Sequence, residues 1–158
     1  MRFISLAVLA IACSSGAKHD DPVTMPSSGS AQAKAQVHIA TDKGPLAVDV
    51  EVVSTEADIE RGLMFREHLD PDAGMLFLLG HDKDWAFWMH NTLIPLDMIF
   101  IRRDMTIAGV VQNAEPKTDT LRKVGEPSLY VLEVNGGYCA AHRVAADQKV
   151  WFDNVDPR

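Results

Sequence analysis

The sequence is poor in cysteine, in positive charge and in long apolar runs. Only two of its 158 residues are cysteine, which is too few for a disulfide framework or a cysteine-rich zinc site. The formal net charge is −7, and no basic stripe supplies the phosphate-neutralising surface that nucleic-acid binding requires. No apolar run approaches the roughly 18–20 residues that span a bilayer as a helix. We therefore expect neither a nucleic-acid partner nor a membrane-spanning helix.

Recognisable catalytic and cofactor motifs are also missing. The chain contains no Gly-x-Ser-x-Gly elbow and no phosphate loop. His19, His38, His68 and His142 show no ligand spacing to one another or to Cys139. The sequence therefore predicts no metal and no cofactor, and it leaves open whether the protein is an enzyme.

The N-terminal residues have the pattern of an export signal. Arg2 gives a positive start, and residues 3–12 form an apolar run that ends with the small residues Ala10 and Ala12 before Cys13. This order resembles a bacterial lipoprotein signal, in which Cys13 becomes the acylated first residue. The alternative is an ordinary secretory signal cut at the same bond, which would give a soluble periplasmic or secreted protein.

We accordingly predict three segments: a signal peptide over residues 1–12, a flexible tether over 13–35, and a single domain over 36–158. The tether is rich in Ser, Ala, Gly, Pro and Lys, and it has almost no large apolar residue. Ser14 stands where an aspartate would favour retention at the inner membrane. The prediction is therefore an outer-membrane lipoprotein that faces the periplasm as a monomer.

Short apolar runs separated by turn residues fill the domain. They predict strands over 37–40, 46–53, 75–79, 85–89, 93–101, 106–111, 129–134 and 149–152, with a long polar loop over 112–127. Thr55 is the expected N-cap of a short helix that ends near Arg66, and a helical turn is expected over 138–143. The predicted fold class is mainly β (α+β), a single compact antiparallel sandwich or small barrel with one short helix.

The most apolar segment, residues 87–101, holds a single carboxylate, Asp97. A buried unpaired charge is expensive, so Asp97 requires a partner or a function. As a structural residue it would cap the amides at Asn91 and Thr92, or pair with Arg61 to fix the helix to the sheet. As a functional residue it would orient the polar groups of a binding site.

Four segments together resemble the signature of the DUF192 family. They are Arg61-Gly62-Leu63-Met64 with Arg66, Gly74-Met75-Leu76-Phe77, Phe87-Trp88-Met89-His90-Asn91-Thr92 with Ile94-Pro95-Leu96-Asp97, and Tyr130-Val131-Leu132-Glu133 followed by Gly137. The chain departs from the family pattern at His90, where a basic residue such as lysine is usual, and at Ala146, where glycine is usual. The resemblance implies a compact, mainly β fold, often with an export signal. It implies no substrate, cofactor or catalytic residue.

The polar residues of these segments form the candidate ligand-binding site. They are Arg61, Arg66, His90, Asn91, Asp97 and Glu133. As a binding or accessory module, the protein would clamp a small polar or anionic ligand with an arginine fork, or it would bind an envelope protein. As an envelope hydrolase, it would use Asp97 or Glu133 with His90. As a structural scaffold, it would bury the whole polar cluster.

Overall fold

The computed structural model describes residues 33–156, which contain seven strands and two short helices. In chain order they are β1 Gln36–Thr41, β2 Gly44–Val53, α1 Glu56–Arg61, β3 Ala73–Lys83, β4 Leu96–Ile101, β5 Ile107–Ala114, β6 Ser128–Asn135, α2 Tyr138–His142 and β7 Val150–Asp153. The predicted signal peptide, Cys13 and nearly all of the tether lie outside these residues. Within them, no helix has the length and apolar character needed to cross a membrane.

All seven strands belong to one sheet in the order β5-β4-β6-β3-β2-β1-β7. Neighbouring strands are antiparallel, except that β2 and β3 are parallel and are joined by a crossover through α1. The two ends of the sheet approach each other. The amide of Ile107 donates to the carbonyl of Gln148 at 3.0 Å, and the amide of Val150 donates to the carbonyl of Met105 at 2.9 Å. The sheet thus curls into a half-barrel, and the predicted mainly β fold is confirmed.

Helix α1 begins as predicted but ends earlier. Thr55 is its N-cap, and Thr55 Oγ1 accepts a hydrogen bond from the amide of Asp58 at 3.2 Å. The helix ends at Arg61 rather than near Arg66, because Gly62 adopts a φ of 45°. A Cβ at this position would lie 3.3 Å from Cζ of Phe77. Glycine therefore both stops the helix and lets it approach the sheet closely.

The predicted strand over residues 85–89 is wrong. This part of the chain crosses over the sheet, and it forms only an isolated bridge between Phe87 and Arg122. Phe87 packs edge-on against Phe77 and Phe100 of the sheet, with ring centroids 5.2 and 6.0 Å apart. An extended apolar segment that covers a sheet has the same alternation as a strand within it, so the sequence pattern does not separate the two. We call residues 85–92 the covering segment.

Two further boundaries differ from the prediction. Strand β4 begins at Leu96 rather than at residue 93, and β5 continues to Ala114. The predicted loop over 112–127 is therefore shorter, since its first residues pair with β4. The helical turn predicted over 138–143 is confirmed as α2.

The central strands β3, β4 and β6 are buried on both faces of the sheet. The first face packs Leu76, Ile99, Leu132 and Val134 with β1 and α2, and the second packs Met75, Phe77, Met98, Phe100 and Val131 with Leu63, Leu69 and Met89. Successive residues of a strand point to opposite faces. Asp97 pairs with Val134, whereas Glu133 pairs with Met98. The two carboxylates therefore lie on opposite faces of the sheet.

Asp97 is an anchor between elements on the first face. Its side chain is fully buried, and its Oδ1 accepts hydrogen bonds from the amides of Asn113 at 2.7 Å and Gly137 at 3.0 Å. Its Oδ2 accepts a third from the amide of Cys139 at 2.7 Å. Burial, followed by the adjacent Asp97 charge, raises the pKa of the Cys139 thiol above its ordinary value. Asp97 thus joins β4 to β5 and to the start of α2, beside a neutral thiol.

The partners expected for Asp97 were wrong. It contacts neither the amides of Asn91 and Thr92 nor the guanidinium of Arg61. Those groups belong to α1 and the covering segment, which pack on the second face. Oriented backbone N–H groups, rather than a cation, stabilise this buried charge.

We expect Asp97→Asn to lower the free energy of unfolding by about 3 kcal/mol, measured by urea unfolding of the whole chain. The substitution replaces one acceptor oxygen with an NH₂ group that faces buried backbone donors. In the control, Asp72→Asn, the exposed side chain makes no hydrogen bond to another described residue, and the change should stay within about 0.5 kcal/mol. Equal effects in the two variants would contradict the anchoring role of Asp97.

Candidate functional site

A cavity of about 170 Å³ lies on the second face, between α1 and the covering segment. Most of the residues that line it are apolar or aromatic, among them Ile59, Leu63, Phe77, Leu79, Trp85, Phe87 and Trp88. Its charged lining residues are Glu60, Arg61 and Glu133, and Thr92 adds a hydroxyl. Glu60, Arg61 and Trp88 are exposed, so the cavity reaches the protein surface.

Glu133 of β6 is the buried charged residue of this cavity. Its relative exposure is 4 %, and it lies between Met75 of β3 and Met98 of β4. No side chain or backbone group in the described residues gives its carboxyl group a hydrogen bond or an ion pair. Within residues 33–156, Ser128 Oγ is the one side-chain polar atom that is both sealed from solvent and without a partner. The carboxyl oxygens of Glu133 therefore border the open space of the cavity.

The apolar surroundings change the protonation of Glu133. Burial disfavours the charged form and raises the pKa of this carboxyl from 4.5 to about 8. At neutral pH the group is therefore mainly protonated, and a nearby positive charge would favour its ionised form. A carboxyl group that is perturbed in this way inside a cavity is typical of functional sites.

Arg61 supplies an unpaired positive charge at the mouth of the cavity. It is the last residue of α1 and is exposed, and its guanidinium forms no hydrogen bond or ion pair with another described residue. A cation at a helix C-terminus is favoured by the helix dipole, which explains its position. The dipole does not supply a discrete counter-charge. Arg61 and Glu133 line the same cavity, and neither has a partner among residues 33–156.

Arg66 is occupied elsewhere. Its guanidinium forms a two-pronged ion pair with Glu51 of β2, in which Nη2 lies 2.6 Å from Oε2. The hydrogen bond between them lowers the pKa of Glu51 and raises that of Arg66. This pair ties the chain after α1 to β2, and Arg66 does not line the cavity.

His90 and Asn91 lie beside the cavity mouth. Together with Arg61 and Trp88 they line a shallow pocket that shares several residues with the cavity. His90 Nδ1 lies 2.7 Å from Oδ1 of Asp119, and its ring centroid lies 5.2 Å from that of Trp88. The structure therefore adds Asp119 to the site. Nothing in its polar sequence neighbourhood marked it as a site residue.

The candidate residues thus divide into three groups. Arg61 and Glu133 share the cavity, His90 and Asn91 adjoin it, and Asp97 and Arg66 are separate from it. In the hydrolase alternative, Glu133 rather than Asp97 would work with His90, because Glu133 lies on the same face of the sheet as His90. In the described part of the chain, no three His, Cys, Asp or Glu side chains gather to form a metal site.

The stability of the wild type should fall as pH rises from about 4.5 to 8. In this window the folded protein holds the Glu133 proton that the unfolded chain has already released, so unfolding becomes easier with rising pH. In Glu133→Gln the side chain does not titrate, so folding no longer takes up a proton at this position. Urea unfolding should therefore show the variant gaining roughly 3–4 kcal/mol relative to the wild type between pH 5 and pH 8.

The exposed Glu67 provides the matched control for this experiment. Glu67→Gln should follow the wild type at every pH. A difference between wild type and Glu133→Gln that does not change with pH would contradict the raised pKa of Glu133.

Comparisons with known proteins identify the family. The model of the family DUF192, described as an uncharacterized ACR, matches residues 37–152. A protein of unknown function from Novosphingobium aromaticivorans is 36 % identical with a TM-score of 0.71, over 73 % of this chain and 83 % of that one. A candidate transcription regulator from Sinorhizobium meliloti is 36 % identical with a TM-score of 0.72, over 76 % and 94 %. No curated protein matches. The resemblance is confirmed, and the chain belongs to the DUF192 family.

Proposed function

We propose that the protein is an exported, lipid-anchored binding module of the cell envelope, and that it holds a small polar ligand in the cavity. The ligand presents a hydrogen-bond donor to Glu133. One observation carries this proposal: Glu133 is almost fully buried, borders the cavity and has no partner among the described residues. The pattern of residues 1–13 supports export and anchoring through Cys13.

Burial of an unpartnered carboxyl group reduces stability, and a purely structural site would have no use for it. Its neighbour on the same face of β6, Val131, is apolar and packs in the second-face cluster. Proteins retain destabilising polar groups where function requires them. The scaffold alternative fits Asp97, which is satisfied by three amides, but it leaves Glu133 unexplained.

The cavity is better suited to binding than to hydrolysis. Of the described residues that line it, Thr92 is the one with a hydroxyl group, and its Oγ1 donates to the carbonyl of His90 at 3.3 Å rather than to a general base. Cys139 lies on the opposite face of the sheet. A volume of about 170 Å³ is also well below the roughly 300–1,000 Å³ of pockets for drug-sized molecules, which indicates a small ligand.

A panel of small probes should distinguish donors from acceptors at Glu133. We expect ethylamine and acetamide, which carry N–H donors, to shift the NMR amide signals of Leu63 and Thr92, and acetate to leave them in place. In Glu133→Gln the affinity for ethylamine should fall at least about tenfold, the value of one charge-assisted hydrogen bond.

Glu67→Gln is the matched control and should bind the probes as the wild type does. Silence of the cavity signals with every probe would contradict the proposed function. Equal affinity of ethylamine for wild type and Glu133→Gln would contradict the role of Glu133.

Membrane attachment is tested separately through Cys13. Expression of the full chain in a bacterium with lipoprotein processing should place the wild type in the membrane fraction. Cys13→Ser should move it to the soluble envelope fraction, because no acyl chain can then be attached. The same distribution for both proteins would contradict lipid anchoring.

A further inference from the structure

We infer that the ligand is a compact zwitterion, with its ammonium group at Glu133 and its anionic group at Arg61. This inference rests on the proposed function, because it names the ligand class of the same cavity. It follows from three features of the site: the aromatic wall, the unpaired cation at the mouth, and the small volume.

The aromatic wall favours a cation over a neutral donor. Phe77, Phe87 and Trp88 line the cavity together with Glu133, and the faces of aromatic rings attract positive charge. Trp85 is already engaged, since Lys83 Nζ lies 4.9 Å from its ring centroid. An ammonium group gains both the ring attraction and a charge-assisted hydrogen bond to the ionised carboxylate. A neutral donor gains only a hydrogen bond.

Phe77 and Phe87 also give this wall a fixed shape. Their rings meet edge to face, with an interplanar angle of 81° and centroids 5.2 Å apart. Gly62 brings the end of α1 directly against Phe77, so the residue that carries the mouth cation, Arg61, is held next to the same wall. The two charged subsites are therefore positioned by one packed unit rather than by separate loops.

Arg61 offers a second contact to a ligand that carries an anionic group beside its ammonium group. A ligand with an ammonium group alone would meet an unpaired guanidinium at the cavity mouth. A ligand with a carboxylate alone could pair with Arg61 or accept a hydrogen bond from protonated Glu133, but it would not gain the attraction of the aromatic rings for a positive charge. A zwitterion pairs both groups at once, and the planar guanidinium is suited to a carboxylate.

The other charged groups near the mouth do not change this assignment of the ammonium group to Glu133 and the anionic group to Arg61. Glu60 also lines the cavity, but an anion does not pair with the carboxylate of a ligand, so it does not compete with Arg61 for that group. His90 is held by Asp119, with Nδ1 2.7 Å from Oδ1, and this pair lines the adjoining pocket. Arg61 is the cation among the lining residues that has no hydrogen bond or ion pair with another described residue. The small volume of the cavity limits the ligand to about the size of a free amino acid.

Calorimetry of the whole chain with charge-matched probes tests this inference. The zwitterions are glycine, 3-aminopropanoate and 4-aminobutanoate, which span three separations between the charges. Propylamine presents the cation alone, and propanoate presents the anion alone. We expect at least one zwitterion to bind about tenfold or more tightly than propylamine, with propanoate the weakest.

Arg61→Gln should abolish the higher affinity of the zwitterion relative to propylamine, and the affinity for propylamine itself should stay equal or increase. Arg143→Gln is the matched control, because Arg143 pairs with Asp42 away from the cavity and does not line it. Circular dichroism verifies that each variant is folded.

Two outcomes would overturn the inference and are distinguishable from each other. If propylamine binds as tightly as every zwitterion, or if Arg61→Gln keeps the zwitterion advantage, the ligand class is wrong while the binding function stands. If no probe binds the wild type, the proposed function fails together with the inference.

Discussion

The three hydrogen bonds accepted by Asp97 are the interaction on which the rest of the structure depends. They join β4 to β5 and to the start of α2, which directly follows β6, and they so support the register in which β6 pairs with β4. This register places Glu133 on the second face, between Met75 and Met98. A slip of one residue would turn Glu133 to the opposite face and close the site. An anchor on one face of the sheet thus determines the chemistry of the other.

The two buried carboxylates show how surroundings decide the role of a side chain. Asp97 receives three oriented amide donors and serves as a structural charge. Glu133 receives none from the described residues, so burial raises its pKa to about 8 and keeps it mainly protonated at neutral pH. A positively charged ligand group would displace this proton and pair with the carboxylate. Binding at this site would therefore be coupled to proton release.

The sequence predicted elements that depend on local chemistry. The cap at Thr55, the helical turn that became α2 and the mainly β character follow from turn residues, capping residues and alternation. The four family segments also marked the region that surrounds the cavity, and Arg61 and Glu133 were among the candidates.

The predictions that were wrong concern strand pairing and register, which local sequence patterns do not determine. The covering segment has the composition of a central strand, yet it lies over the sheet. The expected pairing of Asp97 with Arg61 failed because the register places the two on opposite faces.

The most direct test of the proposed site is a ¹³C NMR titration of the Glu133 carboxyl carbon. We expect a pKa of about 8 in the free protein and a lower pKa when a zwitterion is bound. A pKa near the ordinary 4.5 in the free protein would contradict the proposed site, because the carboxyl group would then be solvated or paired.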